Sequence, residues 1–197
     1  QTPRDLMPDA PGRIAAAVDL PVTADLEAGY GDPGGTIERA IDVGIVGANL
    51  EDQLKPLPDA VRAVSQAVAA GERAGIPFVL NARTDAFLKA GDRAPDAVLA
   101  DATERGRAYL DAGASTIFVP GLLDEPTIVA LVEGIGERRV NLIAVPGSLP
   151  LATLESLGVA RVSYGPWSQN VALTALEDLT TSVHAGGALP EGTRRLN

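Results

Sequence analysis

At 197 residues, with 46% hydrophobic and 21% charged residues, the chain is long enough for one globular domain with a sizeable core. Its formal net charge of −10 argues against nucleic acid or an anionic membrane as partner, since both reward clustered Lys and Arg. The lack of cysteine excludes disulfides, thiolate metal sites and cysteine nucleophiles.

The chain opens at Gln1 and its only methionine is Met7, which predicts a fragment, a processed chain or the ordered part of a longer one. No apolar run reaches the roughly 18–20 residues of a membrane span and no signal peptide is present, which predicts a cytoplasmic location. Strands are predicted at 21–25 (PVTAD), 45–51 (IVGANLE), 77–82 (PFVLNA), 115–120 (STIFVP), 140–145 (VNLIAV) and 160–164 (ARVSY). Their near-continuous apolar character suits parallel strands buried on both faces. Helical patterns lie between them, as at 59–74 and 95–112, and several stop at a glycine: Gly75, Gly113 and Gly158. With no linker or low-complexity tract, residues 1–197 read as one domain with a C-terminal helix and tail from about 168.

Alternating strands and helices mean an α/β fold with right-handed crossovers. The strands recur about every 28 residues, close to the ~31 of a (β/α)8 barrel. Six strands then make three quarters of a TIM-type barrel, which predicts that the first two βα units, roughly 50–70 residues, precede Gln1. A six-stranded doubly wound sheet is the alternative, and periodicity does not separate the two.

Polar residues collect at predicted strand C-terminal ends, the edge where such folds bind ligands. The first strand ends in Asp25, with Glu27 two residues on; the second ends in Glu51 and Asp52; the third runs into Arg83, Thr84 and Asp85. Three acids at one mouth repel unless a cation sits among them, and hard oxygen donors suit Mg²⁺ or Mn²⁺. Arg83 offers a fixed fork for a substrate carboxylate or phosphonate, with an Arg83–Asp85 ion pair as the structural alternative.

Gly29, Gly31 and Gly34 also spell G-x-G-x-x-G, with Glu51 17 residues further on. Asp25 and Glu27 stand where a pyrophosphate would approach, and Asp32 and Pro33 add charge and remove an amide. A dinucleotide site is therefore the weaker reading. The only histidine, His184, lies near the C-terminus, which excludes Ser-His-Asp chemistry. Neither lysine falls in or just after a strand, which disfavours a Schiff base.

The stretches ADLEAGYGD (24–32), GANLEDQ (47–53), NARTDAFL (81–88), FVPGLLD (118–124) and VSYGPW (162–167), in this order, resemble the isocitrate lyase/phosphoenolpyruvate mutase superfamily. The resemblance implies an α/β barrel that often exchanges its last helix between subunits, giving dimers or tetramers. It also implies Mg²⁺-dependent making or breaking of C–C or P–C bonds beside a 2-oxo acid. Asp25 matches the direct metal ligand, Glu27 the second acidic position and Glu51 the third acid. Arg83 matches the arginine that holds substrate, with Gly29, Tyr30 and Gly31 as further candidate substrate contacts and Glu51 and Arg83 as the candidate catalytic pair. The segment EDQLKPLPDA lacks the K-K-C-G-H motif of the isocitrate and methylisocitrate lyases, and 53–58 is short for the mobile loop of the mutases. This points to the phosphonomutase and oxaloacetate decarboxylase-like branch, acting on a small 2-oxo or 2-hydroxy acid or a phosphonate, with C–C cleavage favoured. A non-catalytic oxyacid-binding barrel is the alternative of another class.

Overall fold

The structure is a computed structural model that describes residues 3–195. A short helix α1 (Asp9–Ala15) precedes strand β1 (Val22–Asp25), after which helix and strand alternate. The order is α2 (Pro33–Asp42), β2 (Ile45–Glu51), α3 (Leu57–Arg73), β3 (Val79–Arg83), α4 (Pro95–Asp111), β4 (Thr116–Phe118), α5 (Glu125–Ile135), β5 (Val140–Ile143), α6 (Leu151–Ser156), β6 (Arg161–Ser163) and α7 (Trp167–His184). The predicted strands are all present, with ends shifted by at most two residues. The third strand starts later and extends to Arg83, so this side chain leaves the sheet rather than a loop. Helix α3 starts two residues before the predicted 59, because Pro56 stands just outside it and Pro58 fits its first turn.

The six strands pair in sequence order, β1-β2-β3-β4-β5-β6, and every pairing is parallel. A doubly wound sheet reverses its order at a switch point. No reversal occurs here, so the doubly wound alternative and the dinucleotide reading built on it are overturned. The arrangement is a six-stranded α/β part-barrel.

Alternation along each strand sorts the side chains. Ala24, Ala48, Leu50, Leu80, Ala82, Ile117, Val140 and Leu142 join helix residues such as Ile37, Val64, Val98 and Leu131 in one core. The alternate positions carry Asp25, Asn49, Glu51, Asn81, Arg83, Thr116 and Asn141. The inner face is therefore polar, although Asn81 and Asn141 are fully buried. A chain of bonds crosses it, Asn81 Nδ2 to Asn49 Oδ1 and Thr116 Oγ1 to Asn81 Oδ1, each 2.7 Å.

The chain forms two compact units, Gln1–Ser163 and Tyr164–Asn197. The first holds the sheet and α1–α6. The second holds α7, which buries none of its residues and exposes Val171, Leu173, Leu176 and Val183. Among the described residues, no helix is long and apolar enough to cross a membrane.

Candidate active site

The loop after β1 is built by local bonds. Asp25 Oδ1 accepts the Glu27 N–H at 3.0 Å, which turns the chain at once and puts Glu27 at φ +50°. Tyr30, at φ +51°, donates its hydroxyl to Glu27 Oε1 at 3.1 Å. Burial, the bond to Glu27 and the charges of Glu27 and Asp25 push the Tyr30 phenol up to about 12, so it stays a donor at neutral pH. Gly29 and Gly31 take left-handed φ values of +77° and +82°, which favour glycine. Gly29 is buried, its N–H given to the Leu26 carbonyl, whereas Gly31 is exposed. The Asp32 side chain then caps α2 through the Gly35 N–H at 3.0 Å. That N–H, and a salt bridge to Arg4, hold the Asp32 carboxyl below its usual range. The glycine pattern thus serves a turn into a capped helix.

The second and third strand ends meet side by side, because Glu51 and Arg83 are register partners. Arg83 Nη1 lies 3.0 Å from Glu51 Oε2, and Arg83 Nε lies 2.8 Å from Asp85 Oδ1. The guanidinium expected to bind substrate is thus also the one in the predicted ion pair with Asp85, held between two carboxylates. Gln53 donates to Glu51 Oε1 at 3.2 Å, and the Glu51 N–H donates to the Glu27 carbonyl at 2.8 Å. This last bond joins the β1 loop to the end of β2, so Asp25, Glu27, Glu51 and Arg83 share one mouth.

Sequence reasoning missed one residue at this mouth and misplaced another there. Lys89, set aside because it lies beyond any strand end, donates to the Gln53 carbonyl at 2.7 Å and stands 4.0 Å from Asp85 Oδ2. Asp52, read as part of the acidic edge, is turned inward and buried. The four-residue spacing from Asp85 to Lys89 was the available signal for the first. Tyr164 opens the second unit, half exposed, and His184 is exposed at the end of α7.

Asp25, Glu27 and Glu51 are all hard oxygen donors, the chemistry a Mg²⁺ ion takes. Among the described residues no three acidic or histidine side chains converge closely enough to bind an ion directly. Such a donor set fits an ion that keeps several of its waters, with few direct protein ligands.

A parallel α/β part-barrel with acids and an arginine at its C-terminal edge defines a class of small-molecule site. The chain matches the phosphoenolpyruvate phosphomutase family over residues 1–184, and it belongs to that family. An uncharacterised Mycobacterium tuberculosis protein is 34% identical over 171 residues, 86% of this chain but 64% of its own length. The chain thus spans less than two thirds of that relative. A crystal structure of a candidate phosphonomutase from Burkholderia cenocepacia superposes with a TM-score of 0.85 at 39% identity, covering 91% of this chain and 78% of that one. Oxaloacetate acetylhydrolase in complex with its product oxalate superposes with a TM-score of 0.82 at 26% identity, covering 97% and 70%.

Proposed function

We propose that the chain is the main part of a Mg²⁺-dependent enzyme that cleaves or rearranges a C–C or P–C bond of a small 2-oxo or 2-hydroxy acid through an enolate. The observation that carries this reading is the 3.0 Å Glu51–Arg83 pair on adjacent strand ends, bonded through the Glu51 N–H to the loop bearing Asp25 and Glu27. Arg83 holds the substrate's anionic group. Glu51 and Asp85 fix its guanidinium so that little side-chain freedom is lost on binding. Asp25 would hold the metal directly, with Glu27 and Glu51 on its waters. Tyr30 orients the Glu27 carboxylate. Bound Mg²⁺ would supply positive charge beside a developing enolate oxygen.

The similarity to oxaloacetate acetylhydrolase favours C–C cleavage, and oxalate is an enolpyruvate mimic, which makes it the probe. Calorimetric titration of oxalate should show binding with Mg²⁺ and none without it. Asp25→Ala should remove Mg²⁺-dependent binding by about 100-fold or more while the circular dichroism spectrum is kept. No binding under either condition, or unchanged binding in the variant, would sink the reading. A P–C substrate is the second possibility, favoured by the similarity to the Burkholderia structure; turnover of phosphonopyruvate but not of oxaloacetate would select it. The exposed apolar residues of α7, together with the family resemblance, support a homo-oligomer, a dimer or tetramer, which light scattering tests.

A further inference from the structure

Asp52 makes the most bonds of any carboxylate near the mouth, yet the proposed chemistry leaves it idle. Its side chain is 4% exposed, so no ligand reaches it. The two oxygens face opposite ways. Oδ1 accepts the backbone N–H groups of Leu54 at 2.8 Å and Asp85 at 3.0 Å. Oδ2 accepts from Tyr109 at 2.6 Å and from Arg105 at 3.1 Å, two residues of α4 that are both buried. The Asp52 N–H in turn donates to the Arg83 carbonyl at 3.0 Å.

Further bonds fasten both loops to the same helix. Arg105 Nη1 donates to the Lys55 carbonyl at 3.0 Å, and its Nε to Asp101 Oδ1 at 2.7 Å. Asp101 Oδ2 accepts from Arg93, which donates onward to the Ala86 carbonyl at 2.7 Å. Burial, then the Asp52 charge, push Tyr109 well above its ordinary value, so it remains a phenol that donates. Burial works against the Arg105 charge, but the bonds to Tyr109 and Asp101 outweigh it.

Apolar residues of equal volume would hold α4 to the sheet as well or better, since burying ions is costly. What a carboxylate does and a leucine does not is aim two backbone N–H groups at a fixed point. We propose that Tyr109 and Arg105 are positioning residues for anion recognition, acting through Asp52 on the Asp85 backbone and through Asp85 on the Arg83 guanidinium. The path has three bonds between Tyr109 and Arg83: Tyr109 to Asp52, Asp52 to the Asp85 N–H, and Asp85 to Arg83 Nε. Glu51, Asp52, Arg83 and Tyr109 also line one small cavity. The inference rests on the reading that Arg83 receives the substrate's anion, and such a support determines how well a binding group is preorganised.

Tyr109→Phe removes one hydroxyl and keeps the ring. In the ligand-free chain, amide hydrogen exchange at Leu54 and Asp85 should quicken about 10-fold while that at Leu80 in β3 holds. No change at Asp85, or equal quickening at Leu80, overturns the proposal. With Mg²⁺ present, oxalate affinity should fall about 10-fold on Tyr109→Phe, and the same substitution should cost nothing further in an Arg83→Lys background. Equal losses in both backgrounds would also overturn it. If the unaltered chain binds no oxalate at all, the enzymatic reading fails, and the exchange measurement still decides the positioning role. Arg105→Lys, which keeps the charge and loses the fork, gives the same comparison if the phenylalanine variant does not fold.

Discussion

The loop after β1 and the loops after β2 and β3 supply the same mouth but are held by different means. The side chains of Asp25, Glu27 and Tyr30 are fixed by bonds spanning two or three residues, Asp25 to the Glu27 N–H and Tyr30 to Glu27, and by left-handed backbone at Glu27, Gly29, Tyr30 and Gly31. The other two loops are fixed by bonds spanning 33 to 57 residues, from Asp52 to Asp85, Arg105 and Tyr109. One is a local turn with an exposed Asp25 and a half-buried Glu27. The other is a buried charged lattice that presents one guanidinium. A site that exchanges waters with a cation suits the first kind of support, and a site that aligns a planar anion suits the second.

If the comparison holds, damage to the two supports differs in size and kind. The largest effect is expected from Arg105→Ala, which leaves the buried Asp52 without its cation while Asp101 keeps Arg93, and should cost about 3–5 kcal/mol. A urea midpoint shift with unchanged slope measures it. A loss below that of an ordinary surface substitution would show that the lattice is not under load.

Within the β1 loop, Gly29→Ala forces a side chain at φ +77° and puts its Cβ 3.0 Å from Pro33, for about 1–3 kcal/mol. Gly31→Ala, at φ +82° with open space around it, should cost only the backbone part, about 1 kcal/mol. Equal losses at the two glycines would mean that packing against Pro33 contributes nothing.

The smallest effect concerns pH. Tyr30 ionises at about 12 in the folded chain against 10 when free, so its share of stability is complete below pH 10 and fades as pH rises toward 12. Tyr109 is shifted the same way, so the unaltered chain should lose stability across this alkaline range. Tyr30→Phe should flatten only part of that slope, read from melting temperatures between pH 9 and about 12. An identical slope in the variant would remove Tyr30 from the account.

Most of the secondary structure was legible in the sequence. Short β-branched runs, helix-stopping glycines and strand-end acids placed the six strands and the edge that carries the candidate site. The bonds Asp25–Glu27 and Glu27–Tyr30 were not read from the sequence, although residues two and three apart in a turn are close enough to form them. The glycine pattern alone would also have allowed a dinucleotide loop, since left-handed φ serves any sharp turn; the acids beside it had already made that the weaker reading. The third strand ran later than predicted: Pro77 suggested its start, but pairing with β2 begins only at Val79.

Sequence by itself therefore determined an α/β chain of repeating units, with acids and one arginine at strand ends. It did so because apolar periodicity and turn chemistry act over short distances along the chain. Tertiary structure alone decided that the strands pair in unbroken order, which separates a barrel from a doubly wound sheet. It alone turned Asp52 away from the mouth, brought Lys89 to it, and set Arg83 between Glu51 and Asp85. The bonds of Asp52 to Tyr109 and Arg105 join residues more than 50 positions apart, and their pairing depends on the path of α4 across the sheet. No local pattern records that path.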